Sequence, residues 1–486
     1  MSKATMTGRE RAALLLITAV ELVVALDTTV VNIALPAIGH DLRLGEAQLG
    51  WVANAYLLAF GGFMLLGGRL VDRLGPRRTF RAGLAAFTVA SALAGLAPSA
   101  GLLIAARAVQ GVAAAVVIPA QISLLAVTFT EPDVHRRAFG VWSAMGAAGS
   151  AAGTAVGGLL TQAFGWPAIF LVNLPIGAAA VLLAGRLVPS DGPAERGGRR
   201  LDLAGALVGT TALLVLGYAV GAFTEPAMRL PAVALSAGAI GLLGAFVAIE
   251  ARAAEPLLPL RLFRVGAVSG SAVLNVVVGA AHVPAFTLLS LYLQHARGYT
   301  PVQAGLAFLP VALTAVVVGR VLVPAAHKRL GGYGMLAAGL ALQALAFAWF
   351  GRLPAAGGYL ADVLPGLLLL ATGIPATAVG GTVPAVDAVG KSDTGVVAGV
   401  VNTTQRVGAG LGVAALLTVA ATVTGRAGGP ADAAYVAGLR ASFLVCTALA
   451  LVGCVLTVFL LWRRRRRGAA AEDCGEPRAR REGVHA

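Results

Sequence analysis

Two ionisable residues in this chain sit where water is scarce. The apolar run from Glu21 to Pro36, ELVVALDTTVVNIALP, carries the Asp27 carboxylate beside the hydroxyls of Thr28 and Thr29 and the amide of Asn32. A charge in hydrocarbon costs about 2.5–3.5 kcal/mol even on the lenient insertion scale, so such a group normally faces a protein interior or a wet cavity. The chemistry open to Asp27 there is reversible protonation; the alternative is a carboxylate solvated at the outer mouth of its helix. Further on, LIAARAVQGVAAA (Leu103 to Ala115) puts Arg107, Gly111 and Ala114 on one helical face, with Gln110 beside them. A guanidinium cannot release its proton, so Arg107 must find acceptors or water. Next to a carboxylate it would link charge to conformation; otherwise it is a structural arginine bonded to carbonyls.

Fewer candidates lie elsewhere. Glu21 precedes Asp27 by six residues, so on a helix the two point about 120° apart and cannot share a narrow face. In the second half, Asn275, Gly279 and His282 share a face, and Asn402 and Arg406 lie one turn apart. His282 is either a proton relay or a neutral packing group. Asp362 and Asp387 fall at the ends of their apolar runs, which leaves Asp27 as the deeply placed acid, apart from Glu21. No GxxxxGK[ST] loop, metal-ligand spacing or Ser/His/Asp set falls on the runs, which argues against ATP-driven work and against an enzyme.

The elements that position these groups follow from composition. Of 486 residues, 58% are hydrophobic and 12% charged, and the mean hydropathy is +0.84, the profile of an all-α polytopic membrane protein. Apolar windows predict fourteen helices, near 12–35, 49–68, 80–97, 102–127, 138–162, 168–188, 203–222, 230–250, 266–293, 302–325, 333–350, 360–385, 395–421 and 438–462. An even number puts both termini on one side. With the termini inside, the inner segments hold 28 Lys and Arg against six outside, so the positive-inside rule makes the termini cytoplasmic. The net charge of +15 is spread over short connections rather than a nucleic-acid face. The run Arg463–Arg467 reads as a contact for anionic lipid. The polar stretches at 189–200 and 252–265 bracket two helices with few interior polar residues, and Glu250, at a cytoplasmic end, is expected to reach water. The expected order is a tail (1–11), a six-helix bundle (12–188), loops with two linker helices (189–265), a second six-helix bundle (266–462) and a basic tail (463–486), or six plus two plus six.

Several segments also resemble known motifs. LDTTVVNIALP (Leu26 to Pro36), the loop GRLVDRLGPRR (Gly68 to Arg78) and the Arg107 helix are similar to those of the major facilitator superfamily, specifically its fourteen-span drug:proton antiporter branch. The likeness covers nearly all of 12–462. It departs from the pattern at Pro76 where a base is usual, at Thr154 in place of a proline, and at Pro167 and Ala168 in the stretch GWPAIFLVNLPIG. Gly146, Gly149, Gly153 and Gly157 form a small-residue stripe suited to tight helix packing.

The resemblance implies two pseudo-symmetric bundles with a site between them. It implies proton coupling at Asp27 tuned by Arg107, a cavity lined by Asn32, Gln110, Asn275, His282, Asn402 and Arg406, and a gating loop of Gly68, Asp72, Arg73, Gly75, Arg77 and Arg78. It further implies a monomeric, cofactor-free transporter of the bacterial cytoplasmic membrane that exports amphipathic small molecules, with the proton gradient as its drive and no nucleic acid as partner. Alternatives within transport are a dedicated exporter of one metabolite or self-resistance antibiotic, and a uniporter or importer.

Overall fold

The apolar runs fold as helices. A computed structural model describes residues 6–191, 202–223, 228–253, 256–390, 393–428 and 430–473, and every regular element among them is helical. In chain order these are α1 (Gly8–Asp41), α2 (Glu46–Leu74), α3 (Pro76–Gly95), α4 (Ala100–Thr128), α5 (Pro132–Phe164), α6 (Ala168–Leu171), α7 (Asn173–Leu187), α8 (Leu203–Ala222) and α9 (Arg229–Arg252). The second half holds α10 (Gly266–Leu291), α11 (Pro301–Ala307), α12 (Leu309–Val317), α13 (Val323–Phe350), α14 (Leu364–Val386), α15 (Thr394–Arg426) and α16 (Ala431–Asp473).

Local chemistry sets the ends. Thr7 and Glu10 form a capping box at the start of α1, and Ser99 caps α4, each satisfying donors that no carbonyl of the helix can reach. Between α2 and α3 the chain turns at Gly75, whose φ of 88° suits only a residue without a side chain, and Pro76 opens α3 with its φ preset.

Packing groups the helices into two sets. In the first, α1 lies along α5, α2 along α4, and α3 against α4 and α7; in the second, α10 pairs with α15 and α13 with α14 and α16. The sets meet through α2 with α15 and α5 with α11, while α8 rests on both α2 and α15, and α9 packs on α8. Close approach between α2 and α4 depends on Gly111, where a Cβ would press on the backbone nitrogen of Phe60 and the carbonyl of Tyr56.

Eleven helical stretches among the described residues are long and apolar enough to cross a membrane, which makes this a multi-pass membrane protein. That count falls below fourteen for identifiable reasons. Arg77, Arg78 and Arg81 shorten the apolar part of α3, Gly, Ser and Thr dilute α5, and 301–350 runs as one helical stretch with non-helical backbone at Gly331. One expectation is overturned. Glu250 is buried (2% exposed) rather than in water, because Pro256–Leu258 folds over it and the Leu258 N–H donates to its Oε2 at 2.9 Å. Lys3, Arg196, Arg199, Arg200, Lys391 and the tail from 474, with Cys474, Arg478, Arg480 and Arg481, lie outside the described residues.

Candidate functional site

Asp27 and Arg107 meet. Arg107 Nη1 donates to Asp27 Oδ2 at 2.6 Å, with the two side chains 1% and 0% exposed. The other carboxylate oxygen accepts from Asn173 Nδ2 at 3.1 Å and Gln110 Nε2 at 3.4 Å. The same Arg107 nitrogen also donates to Gln110 Oε1 (3.0 Å), and its Nε donates to the Val52 carbonyl (3.1 Å). Ser91 Oγ receives the Gln110 amide at 2.7 Å, and the guanidinium lies over the Tyr56 ring, 4.3 Å from its centroid. Five helices therefore contribute: α1, α2, α3, α4 and α7. The arrangement is a neutral pair sealed within the first helix set, and its carboxylate has no exposed surface.

A different set of bonds joins the two halves of the protein. On α1, the Asn32 side chain accepts from Thr287 Oγ1 (3.0 Å) and its carbonyl from Ser290 Oγ (2.8 Å), while Gln294 Nε2 donates to the Ile33 carbonyl (3.0 Å). Asn32 thus stitches α1 to α10. Nearer the start of α1, Glu21 lies where α5 passes at Gly146. It is within electrostatic reach of Arg406 on α15, whose guanidinium stacks 3.7 Å from the centre of Phe60.

Both the sequence and the fold have counterparts among known proteins. The sequence profile described as Major Facilitator Superfamily matches residues 17–413. The chain belongs to that superfamily. It is accordingly a transporter and not an enzyme. Among curated relatives, the cephamycin export protein CmcT of Amycolatopsis lactamdurans is 40% identical over 435 residues, covering 88% of each chain. The puromycin resistance protein pur8 of Streptomyces alboniger is 39% identical over 462 residues, covering 92% of this chain and 90% of its own. The fold is shared with the POT family transporter PepTSo (TM-score 0.68, 17% identity, 95% of this chain and 99% of that one). It is shared as well with the nucleoside transporter NupG, solved as a point mutant (TM-score 0.67, 11% identity, 92% and 99%).

The superfamily's loop between α2 and α3 takes an unexpected form here. Asp72 and Arg73 are exposed, and Asp72 makes no hydrogen bond or ion pair with a described residue. Asp191, beyond α7, instead accepts from the backbone N–H groups of Arg77 (2.8 Å) and Arg78 (3.0 Å), so it is this carboxylate that caps α3. Arg77 also donates to the Gly185 carbonyl. A Cβ at Gly75 would collide with Asp191, whereas one at Gly68 would meet nothing within 4 Å.

The remaining residues singled out from sequence take separate places. Gln110 belongs to the Asp27 network. Asn275 is buried within the second helix set, donating to the carbonyls of Ser271 and Gly381. Asn402 is exposed and bonds the Ala398 carbonyl. His282 stands 5.5 Å from Phe286, ring to ring. Gly149, Gly153 and Gly157 press α5 onto the α1 backbone at Leu22, Leu26 and Val30. Asn173 and Ser91 do not stand out in the sequence, although GWPAIFLVNLPIG contains Asn173; the one available signal is a polar residue amid apolar ones.

Proposed function

We propose that this chain exports amphipathic drugs or antibiotics across the bacterial cytoplasmic membrane, exchanging them for protons by alternating access. The observation that carries the proposal is the sealed Asp27–Arg107 pair. Protonating Asp27 would leave a guanidinium that cannot deprotonate, buried without its counter-ion, at a cost of several kcal/mol. Arg107 must then find another partner or water, and its contacts reach α1, α2 and α4 together. A proton at Asp27 therefore acts on helix positions, which is what coupling requires. The names of the curated relatives support the direction and the class of cargo.

Alternating access finds support in an asymmetry between the two ends of the bundle interface. One end is stitched by Asn32, Thr287, Ser290 and Gln294. Toward the other, Gly140, Val141, Ser143 and Ala144 of α5 are exposed, as is Asp72. This asymmetry supports a state closed at the stitched end and open at the other. The proposal takes the full count to fourteen crossings in a six-two-six order, with α3 and α5 as crossings despite their composition and Gly331 dividing 301–350 in two. Both termini are then cytoplasmic, the tail faces anionic lipid, the working unit is a monomer, and the proton gradient is the drive without a cofactor.

A growth-inhibition panel in a pump-deficient host identifies a substrate, and its uptake into everted vesicles measures transport. Wild-type vesicles are expected to accumulate it only with a proton gradient, and Asp27→Asn to lose that dependence. An unchanged proton dependence in the Asn variant overturns the assignment of Asp27. A dedicated exporter of a single antibiotic is the second reading, favoured by relatives such as the cephamycin export protein; protection against one panel member alone would select it.

A further inference from the structure

The polar groups between the two helix sets are left incomplete in a particular way. Glu21 Oε2, on α1, is buried without a hydrogen-bond partner, and so are Arg406 Nε and Thr403 Oγ1 on α15 and Gln121 Nε2 on α4. Gln121 is 0% exposed, and its Oε1 is held by the Trp142 indole N–H at 3.0 Å, which leaves the amide NH₂ free to donate. Trp142 borders the Glu21 carboxylate. The Tyr56 hydroxyl, within electrostatic reach of both Glu21 and Arg406, is buried and unpartnered as well. Buried polar atoms are nearly always satisfied, and a cluster of them lacking partners points to a missing occupant.

Charge says what the occupant is. The first helix set presents an anion, the second a cation, and the two form no ion pair. A ligand with one charge would satisfy one of them and leave the other buried and unpaired, a penalty that opposes its binding. A ligand with both charges satisfies both and ties the two sets together. Beside these groups stand flat apolar surfaces. Phe60, itself in the core, carries the Arg406 guanidinium on its face, and Trp142, half-buried, sits by Glu21.

We propose that this interface binds zwitterionic amphipathic molecules, with the ligand's cationic group at Glu21, its anionic group at Arg406 and its apolar body along Trp142. The assignment rests on the export reading above and narrows its cargo. Gln121 and Tyr56 supply neutral polar contacts, and Asp27 and Arg107, already paired with each other, stay outside the site.

Equilibrium binding to the purified full-length chain tests this, with phenylalanyl-phenylalanine as the zwitterionic probe. Its methyl ester keeps only the cation and its N-acetyl form only the anion. The wild type is expected to bind the free dipeptide at least tenfold more tightly than either derivative. Glu21→Gln should abolish the preference over the N-acetyl form alone, and Arg406→Gln the preference over the methyl ester alone. Equal binding of all three forms by the wild type, no measurable binding of any, or variants that keep both preferences overturns the proposal. Should a variant fail to purify as a single species, the wild-type order of affinities decides by itself. Drug export in vesicles without a charge preference would remove this site and leave the export reading; a charge preference without export would do the reverse.

Discussion

At the residue scale, Arg107 is held by more than its counter-ion. Beyond Asp27 it serves Gln110 and the Val52 carbonyl and rests on Tyr56, so geometry as well as charge is at stake. Removing one member of a buried pair strands the other, typically at 3–5 kcal/mol. Arg107→Gln is therefore expected to lose about that much stability in reversible unfolding from detergent. The double variant Asp27→Asn/Arg107→Gln is expected to recover much of it, since no buried ion remains unpaired. A double variant no more stable than Arg107→Gln would show that the pair is not what holds this region. Lysine should rescue poorly, because one ammonium cannot reach a carboxylate, an amide oxygen and a backbone carbonyl with the fork's spacing. The members of this pair were legible from sequence because charge inside a long apolar run is rare and conspicuous. Their partners Asn173 and Ser91 were not, since a neutral polar residue in a span is common and only the fold shows which face it presents.

At the element scale, α5 illustrates what composition conveys and what it hides. Its glycine stripe was legible as a packing surface, but the same weak hydropathy keeps α5 from standing out as a crossing. The partner of the stripe was beyond reach, because periodicity specifies a face and not the helix it meets. The contact with α1 is close: a Cβ at Gly153 would lie 2.9 Å from the Leu26 carbonyl oxygen and overlap Thr29, whereas one at Gly140 on the same helix would meet nothing within 4 Å. Gly153→Ala must move one helix off the other and is expected to cost about 1–3 kcal/mol. Gly140→Ala should be neutral or gain about 0.5–1 kcal/mol from the lower backbone entropy of alanine in a helix. The difference between the two unfolding free energies is the measurement, and equal effects would mean that α5 does not pack on α1 at Gly153. Glu250 carries the complementary lesson. A carboxylate at a helix end ordinarily reaches water, and here the later return of the chain at Leu258 and the packing of α8 at Gly205 enclose it.

At the scale of the whole molecule, the two halves are held together at one end by a small number of hydrogen bonds, and small numbers can be changed. Each such bond contributes a net 0.5–1.5 kcal/mol or so. Thr287→Val with Ser290→Ala removes the donors to the Asn32 amide and to its carbonyl, and leaves Gln294 bonded to Ile33. The expected loss of about 1–3 kcal/mol from the closed arrangement translates into roughly a five- to 150-fold rise in the population opened at that end. Leu35, 1% exposed on α1 beyond this seam, is a suitable reporter once Cys446, Cys454 and Cys474 are replaced. In a chain carrying Leu35→Cys, labelling by a membrane-impermeant maleimide added from outside should be slow, and faster by at least about fivefold when both donors are removed. The same reagent tests orientation, since labelling only from the cytoplasmic side would invert the proposed topology. A labelling rate indifferent to the two substitutions would mean that packing around Ile33, which sits in the core of the second helix set, holds the seam without help from its hydrogen bonds. The switch between states would then have to be sought in apolar contacts rather than polar ones.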